Sequence, residues 1–377
     1  MKSSAPPGDK YRDEFRRRMD HHLLMYSRKT PGDLLVLPNP WAKVNLAARL
    51  AGSLGGRSVG DMSRPEVARQ FVAEFLDEFR ADWPEFYAIP GDAVPAAPVF
   101  PHIGAVTAAM TGIEPDCSGG TVTLSADLSW DEIDKLAFNA DSPWIRMVVE
   151  VNRALWEMWA EDFFIMPYFH RTPLDAAQGI RGAAVFEDMY DQPERVEALV
   201  DWCADWSIAL ERLLAAEAPR PTDWPCGMWN CCLPCDAVIA NGDAVGMISR
   251  DMHGRFDRPY TDKFFSAVGG GLFHNHAIGL HQVDLVADTP GVVCQEILND
   301  PNEPHPADRM IGEPEIAEMM VAASLKAPIR LDGVRPDQLD GLLPIVACGR
   351  FILAVPCDDP ATQQTVVAQV RAVSKIR

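Results

Sequence analysis

Short apolar runs alternate with amphipathic helical stretches along the second half of this chain, and that rhythm restricts the fold more than any other feature. The runs are Leu34 to Leu37, Phe163 to Phe169, Val245 to Ile248, Leu272 to His274, Val292 to Ile297, Pro328 to Leu331 and Phe351 to Val355. They are short and nearly continuous in apolar character, as parallel strands buried on both faces are. Between them, stretches 193–216, 258–268, 313–326, 335–346 and 360–375 carry helical patterns. Earlier, Phe71, Phe75, Phe79 and Trp83 recur every four residues behind Ser63 and Glu66, which have the spacing of a capping box. Ser129 and Glu132 repeat that spacing, and Trp144, Val148, Val151, Leu155 and Trp159 stripe a helix after Pro143. Sustained strand–helix alternation gives a parallel sheet, closed as a barrel or open and doubly wound. No GxGxxG follows a strand, and Gly269-Gly270-Gly271 precedes a strand instead of opening a helix. The pattern predicts an α/β chain: a single (β/α)8 TIM barrel over residues 31–377, with residues 1–30 as an N-terminal helical arm.

A chain of 377 residues accommodates such a barrel as one domain. Hydrophobic residues make up 47% and charged residues 23% of it, the balance of a globular protein. No stretch approaches the roughly 20 apolar residues of a bilayer span. The opening MKSSAPPGDKYRDEFRRRMD has charges where a signal peptide needs an apolar segment, so a cytoplasmic location is expected. With 54 acidic against 34 basic residues the net charge is -20, which repels phosphate backbones and anionic lipid. Neither nucleic acid nor membrane is an expected partner, and Arg16, Arg17 and Arg18 read as a solvated helix face. Nine cysteines without a secretory signal read as reduced thiols, open to metal binding or catalysis. The sequence leaves the oligomeric state open, a homodimer included.

His274 and His276 are two positions apart, so on a strand both side chains point to one face. At the carboxyl end of a barrel strand that face is the inside. A thiolate from Cys357, after the last strand, would complete a His2Cys site with one position open to substrate. The alternative is that the two histidines only hydrogen-bond substrate. Cys348 is a rival ligand but falls before the last strand, and His281 is expected to be structural. Asp251, following the run Val245 to Ile248 and followed by His253 and Arg255, reads as a general base or an anchor for a polar substrate group. A carboxylate at a helix start is the other reading. Tyr168 and His170 alternate around Phe169 at a strand end and are expected to line the pocket. Cys226, Cys231, Cys232 and Cys235 include a C-x2-C, but the adjacent pair strains a tetrahedral site. With Trp224, Trp229 and Pro234 around them they read as an ordered substrate loop, Trp229 being the contact. Asp300-Pro301-Asn302-Glu303-Pro304 belongs on the active-site rim, although turn chemistry explains its residues equally well.

Pro173-Leu174-Asp175-Ala176-Ala177, then Ile180-Arg181-Gly182 and the run from Phe186 to Glu194, resemble the mid-chain signature of the uroporphyrinogen decarboxylase superfamily. So do Ser249-Arg250-Asp251-Met252 with Tyr260 and Phe264, His274-Asn275-His276-Ala277, and Val355-Pro356-Cys357 with Pro360. The resemblance covers roughly residues 30–375 and implies a TIM barrel. The Arg-Gln-Ala-Gly-Arg segment of uroporphyrinogen decarboxylase proper is absent before residue 100, so the likeness is to the methyltransferase branch. That branch moves methyl groups between a corrinoid protein and a thiol or folate. The resemblance therefore implies a metal-assisted methyltransferase with a small-molecule substrate and zinc or another divalent ion on His274, His276 and Cys357. Its corrinoid would come from a separate partner protein. His276 departs from the branch, which has cysteine there. The alternative is a lyase, decarboxylase or hydrolase acting on a small polar substrate, using Asp251 and the histidines for proton transfer on the same barrel.

Overall fold

The computed structural model describes residues 9–38, 54–81, 83–98, 104–113, 126–159, 163–166, 169–220, 225–228, 230–235 and 237–376. Its strands are β1 (Asp33–Pro38), β2 (Ala96–Pro98), β3 (Phe164–Met166), β4 (Phe169–Arg171), β5 (Pro225–Met228), β6 (Cys231–Cys235), β7 (Val238–Asn241), β8 (Gly271–His276), β9 (Val292–Leu298), β10 (Ile329–Leu331) and β11 (Arg350–Val355). Seven form one sheet in the order β1-β11-β10-β9-β8-β7-β4, with every pair parallel. β2 and β3 make a separate parallel pair. β3 and β4 are successive pieces of one segment, so that segment has β2 on one side and β7 on the other. This is a TIM-like arrangement, although among the described residues no ladder joins β1 to β2 and closes the ring. Asp92 bridges that gap. Its carboxylate accepts the Val36 N–H at 2.9 Å, and its own N–H donates to the Val36 carbonyl at 2.9 Å.

Both faces of the sheet are covered, which is why the strands read as continuous apolar runs. Leu34, Val36, Ile329, Leu331, Phe351, Leu353 and Val355 pack outward. The principal helices are α1 (Asp9–Arg28), α2 (Pro65–Ala81), α3 (Pro143–Met158), α4 (Pro193–Glu217), α5 (Arg258–Ala267), α6 (Pro314–Lys326), α7 (Leu339–Val346) and α8 (Pro360–Val373). The outward residues meet Met320, Leu342 and Val366 of α6, α7 and α8. Alternate residues Leu35, Leu37, Phe169, Ile239, Leu272, Cys294, Ile352 and Ala354 face inward, against Cys226, Cys231 and Leu233 of the β5–β6 hairpin and Met25 of α1. The hairpin connects α4 to β7 and α1 precedes β1, so both plug the amino-terminal side of the sheet. The carboxyl ends are left for the loops that carry chemistry.

Two local readings are corrected. Val245 to Ile248 is not a strand, since Asp243–Met247 is 3-10 helix. The strand lies earlier, at Val238–Asn241, where it pairs with both β4 and β8 and ends at Gly242. A Cβ at Gly242 would overlap the Phe273 ring, so only glycine allows the turn away from β8 there. Ser63 does not open α2, because its hydroxyl donates to the Gly60 carbonyl at 2.8 Å. The capping box belongs to Ser58 and Asp61 on the short helix Val59–Met62. The aromatic stripe itself stands as the pattern predicts, with Phe71 and Phe75 of α2 buried in one core with Val148 and Val151 of α3. No helix among the described residues is long and apolar enough to cross a membrane.

Candidate metal centre

β8 extends through His276, and the two histidines point inward, since the preceding residue, Phe273, lies on the opposite face of the strand in the outer layer beside α5. Their Nε2 atoms are 3.2 Å apart. A third donor comes from the neighbouring strand. Asp243 follows β7, and its Oδ1 lies 3.2 Å from His276 Nε2 and 3.9 Å from His274 Nε2. Among the described residues, Asp243, His274 and His276 are the one group of ligand-type side chains whose donor atoms all fall within 4.8 Å of one another. Tetrahedral donors held about 2.0–2.1 Å from a zinc ion stand roughly 3.3 Å apart, so the three separations suit one divalent ion.

The opposite ring nitrogens settle which atoms face the centre. His274 Nδ1 is 2.5 Å from Glu296 Oε2, and His276 Nδ1 is 2.7 Å from Asp300 Oδ1. A carboxylate accepts, so each Nδ1 donates and each Nε2 is the atom turned to the centre, the arrangement that metal-binding histidines use once Nε2 is deprotonated. Both braces come from one strand. Glu296 is the register partner of His274 on β9, and Asp300 follows that strand, its other oxygen accepting the Ile278 N–H at 3.0 Å. Asp243 is held through its own segment. Buried Asp175 accepts Asn241 Nδ2 and the Ala244 N–H, both at 3.1 Å.

The electrostatics favour positive charge at the centre. Burial opposes a charged His276, but the Asp243 and Asp300 carboxylates outweigh it and push the ring up to about 9 in the ion-free protein. Burial likewise opposes ionisation of Glu296, yet Arg330 and His274 hold its carboxyl down to about 2. Burial drives Asp175 up to about 6 against the nearby Arg171. Asp243 is half exposed on its solvent side, which leaves the centre an entry from the carboxyl end of the strands.

The structure brings together only part of the set read from the sequence. His274 and His276 converge. Cys357 shares the outward parity of Phe351, Leu353 and Val355, lies among the apolar outer layer, and donates its thiol to the Val355 carbonyl at 3.1 Å. Asp243 takes the third position instead. Asp251 is exposed in the first turn of the helix Arg250–Phe256 and ends no strand. His253 is buried between Gln282, at 3.1 Å, and Asp257, at 3.3 Å, and Arg255 pairs with Glu197 at 2.7 Å on the surface. His170 has the outward parity of its strand, 2.7 Å from Glu211 and edge-on to Phe264 of α5. Tyr168 and Trp229 lie outside the described residues. The cysteine segment forms the β5–β6 hairpin of the amino-terminal plug, away from the loops at the strands' carboxyl ends. His281 is structural, within 3.2 Å of the carbonyls of Ile278 and Ile248. Asp243 and Glu296 were missed, though both left traces. Val238 to Asn241 closed by glycine is a strand signal, and a glutamate inside Val292 to Leu298 is an ionisable group where only a paired one is tolerated.

No protein-family model matches the sequence, and no curated protein matches it. In structure the chain is similar to a methyltransferase from Methanosarcina mazei, with a TM-score of 0.59 and 14% sequence identity, over 94% of this chain and 98% of that one. At that identity the likeness is one of fold.

Proposed function

We propose that this chain is a metal-assisted methyltransferase, moving a methyl group between a corrinoid protein or small methylated compound and a thiol, folate or similar acceptor. The observation that carries the proposal is the convergence of three donors, with each histidine's far nitrogen already committed to a carboxylate. Asp243, His274 and His276 would hold zinc or a similar divalent ion. Bound there, such an ion supplies Lewis acidity that lowers the pKa of a coordinated thiol or hydroxyl. Glu296 and Asp300 keep both rings in the tautomer that faces the centre. Asp175 and Asn241 hold the Asp243 segment against the end of β8, and the exposed side of Asp243 gives an acceptor its approach. The name of the structural neighbour supports methyl transfer as the reaction class. A corrinoid would arrive on a partner protein, and a cytoplasmic location accompanies this reading.

A second reading rests on the donor set. Two imidazoles and a carboxylate are also the ligands of hydrolytic zinc sites, which favours a hydrolase, lyase or decarboxylase over a thiol-specific enzyme. One experiment separates the two. Protein purified without chelator is analysed for metal, then mixed with methylcobalamin and a panel of thiols while the corrinoid spectrum is followed. About one divalent ion per chain and thiol-dependent demethylation are expected. A loaded protein that leaves methylcobalamin intact with every thiol overturns the methyltransferase proposal and promotes the second reading.

A further inference from the structure

His274, Glu296 and Arg330 occupy one register row across three adjacent parallel strands. His274 pairs with Glu296 of β9, and Glu296 pairs with Arg330 of β10. All three point inward, because their neighbours Phe273, Ile297, Ile329 and Leu331 fill the outer layers. Strands about 4.8 Å apart put an inward carboxylate within reach of both flanking side chains. Glu296 uses both: Oε2 lies 2.5 Å from His274 Nδ1, and Oε1 lies 3.3 Å from Arg330 Nε. Oε2 is hydrogen-bonded to His274, while the Arg330 contact is an ion pair that draws the other oxygen toward β10, so the carboxylate is held between its two neighbours.

Arg330 is fully buried and is itself pinned. One terminal nitrogen donates to Asp332 Oδ1 at 3.0 Å, and the other lies 3.7 Å from Cys231 Sγ on the hairpin that plugs the amino-terminal side. A planar guanidinium hydrogen-bonded at both terminal nitrogens presents its Nε edge to Glu296 as an ion pair, which a lysine ammonium on a flexible stem would not reproduce.

We propose that Arg330 is a positioning residue: acting through Glu296, it sets the ring orientation and tautomer of His274, two strands away. This rests on the reading that Asp243, His274 and His276 hold a divalent ion. The row then supports the centre from the barrel interior, and part of the ion's affinity resides on β10, which supplies no ligand.

The test is zinc affinity, measured by competition with a chromophoric chelator for wild type, Glu296→Gln, Arg330→Met and the double variant. Thermal melting of each ion-free protein accompanies it. Each single change is expected to weaken zinc about 10- to 100-fold. The double variant should be no weaker than the weaker single, because Arg330 acts only through Glu296. Arg330→Lys, which keeps the charge and loses the fork, should fall between wild type and Glu296→Gln. If Arg330→Met does not fold, that lysine variant carries the comparison. Wild-type affinity in Arg330→Met, or in Arg330→Lys when it stands alone, overturns the inference, as do losses that multiply in the double variant. A wild type that binds no divalent ion overturns the centre itself and this inference with it, and shows before any variant is made.

Discussion

Whether a histidine near a strand end can serve as a ligand is decided by which face it occupies and by what its other nitrogen meets. His170 and His274 illustrate the difference, since both are buried near strand ends and both touch a carboxylate. His170 Nε2 points outward to Glu211, whereas His274 turns Nδ1 to Glu296 and leaves Nε2 for the centre. The same reasoning separates Asp243 from Cys357. Asp243→Asn removes the single anionic donor of the converging group and should weaken zinc by more than the roughly 10- to 100-fold that losing an outer partner costs. Cys357→Ser should leave zinc affinity at the wild-type level, because serine can donate to the Val355 carbonyl as the thiol does. Chelator competition on the two variants checks this, and the opposite ranking would return the third ligand position to Cys357.

At the scale of elements, α1 is bound to the plug by a neutral buried histidine. His22 Nε2 is 2.9 Å from the Asp92 carbonyl, and its Nδ1 takes the Cys232 N–H at 3.4 Å. Burial lowers the ring to about 4. Beside it, burial opposes ionisation of Asp92, but His21, Arg371 and the Val36 N–H outweigh it and hold the carboxyl down to about 2. Both groups have folded values below their unfolded ones, so both contribute stability at neutral pH that is lost as pH falls. For His22 the window runs from about 6.5 down to about 4 and the loss is on the order of 3 kcal/mol. Asp92 adds its loss below about pH 4. Asp175 and His276 have folded values above their unfolded ones and contribute in the opposite sense, so His22 is read by difference. The urea midpoint of wild type relative to His22→Gln should decline from pH 7.5 through 5.5 to 4.5. A difference that stays constant across that range would show that His22 is not buried in its neutral form.

For the whole molecule, the centre is assembled on a sheet with its own covered core, so the fold should not depend on the ion. Zinc at a thousand times its dissociation constant adds about 4 kcal/mol by linkage, seen as a rise of several degrees in melting temperature. Dipicolinate should reverse that rise without changing the far-ultraviolet circular dichroism spectrum. Loss of the spectrum on chelation would make the ion structural, and no rise at all would argue against binding. The sequence by itself determined whatever depends on local period. Apolar runs and four-residue stripes placed most of the strands and principal helices, and two-residue spacing put His274 and His276 on one face. Local period does not say which of two apolar runs wins a place in the sheet, and Val238–Asn241 displaced Val245 to Ile248 because it could pair with β4 and β8 together. That choice carried Asp243 into the centre and left Asp251 on the surface. Likewise, the parity of β11 sent Cys357 outward, and only the register of β8, β9 and β10 brought Glu296 and Arg330 into line with His274. Hydrogen bonds between strands distant in sequence set that register, so only the tertiary structure could decide it.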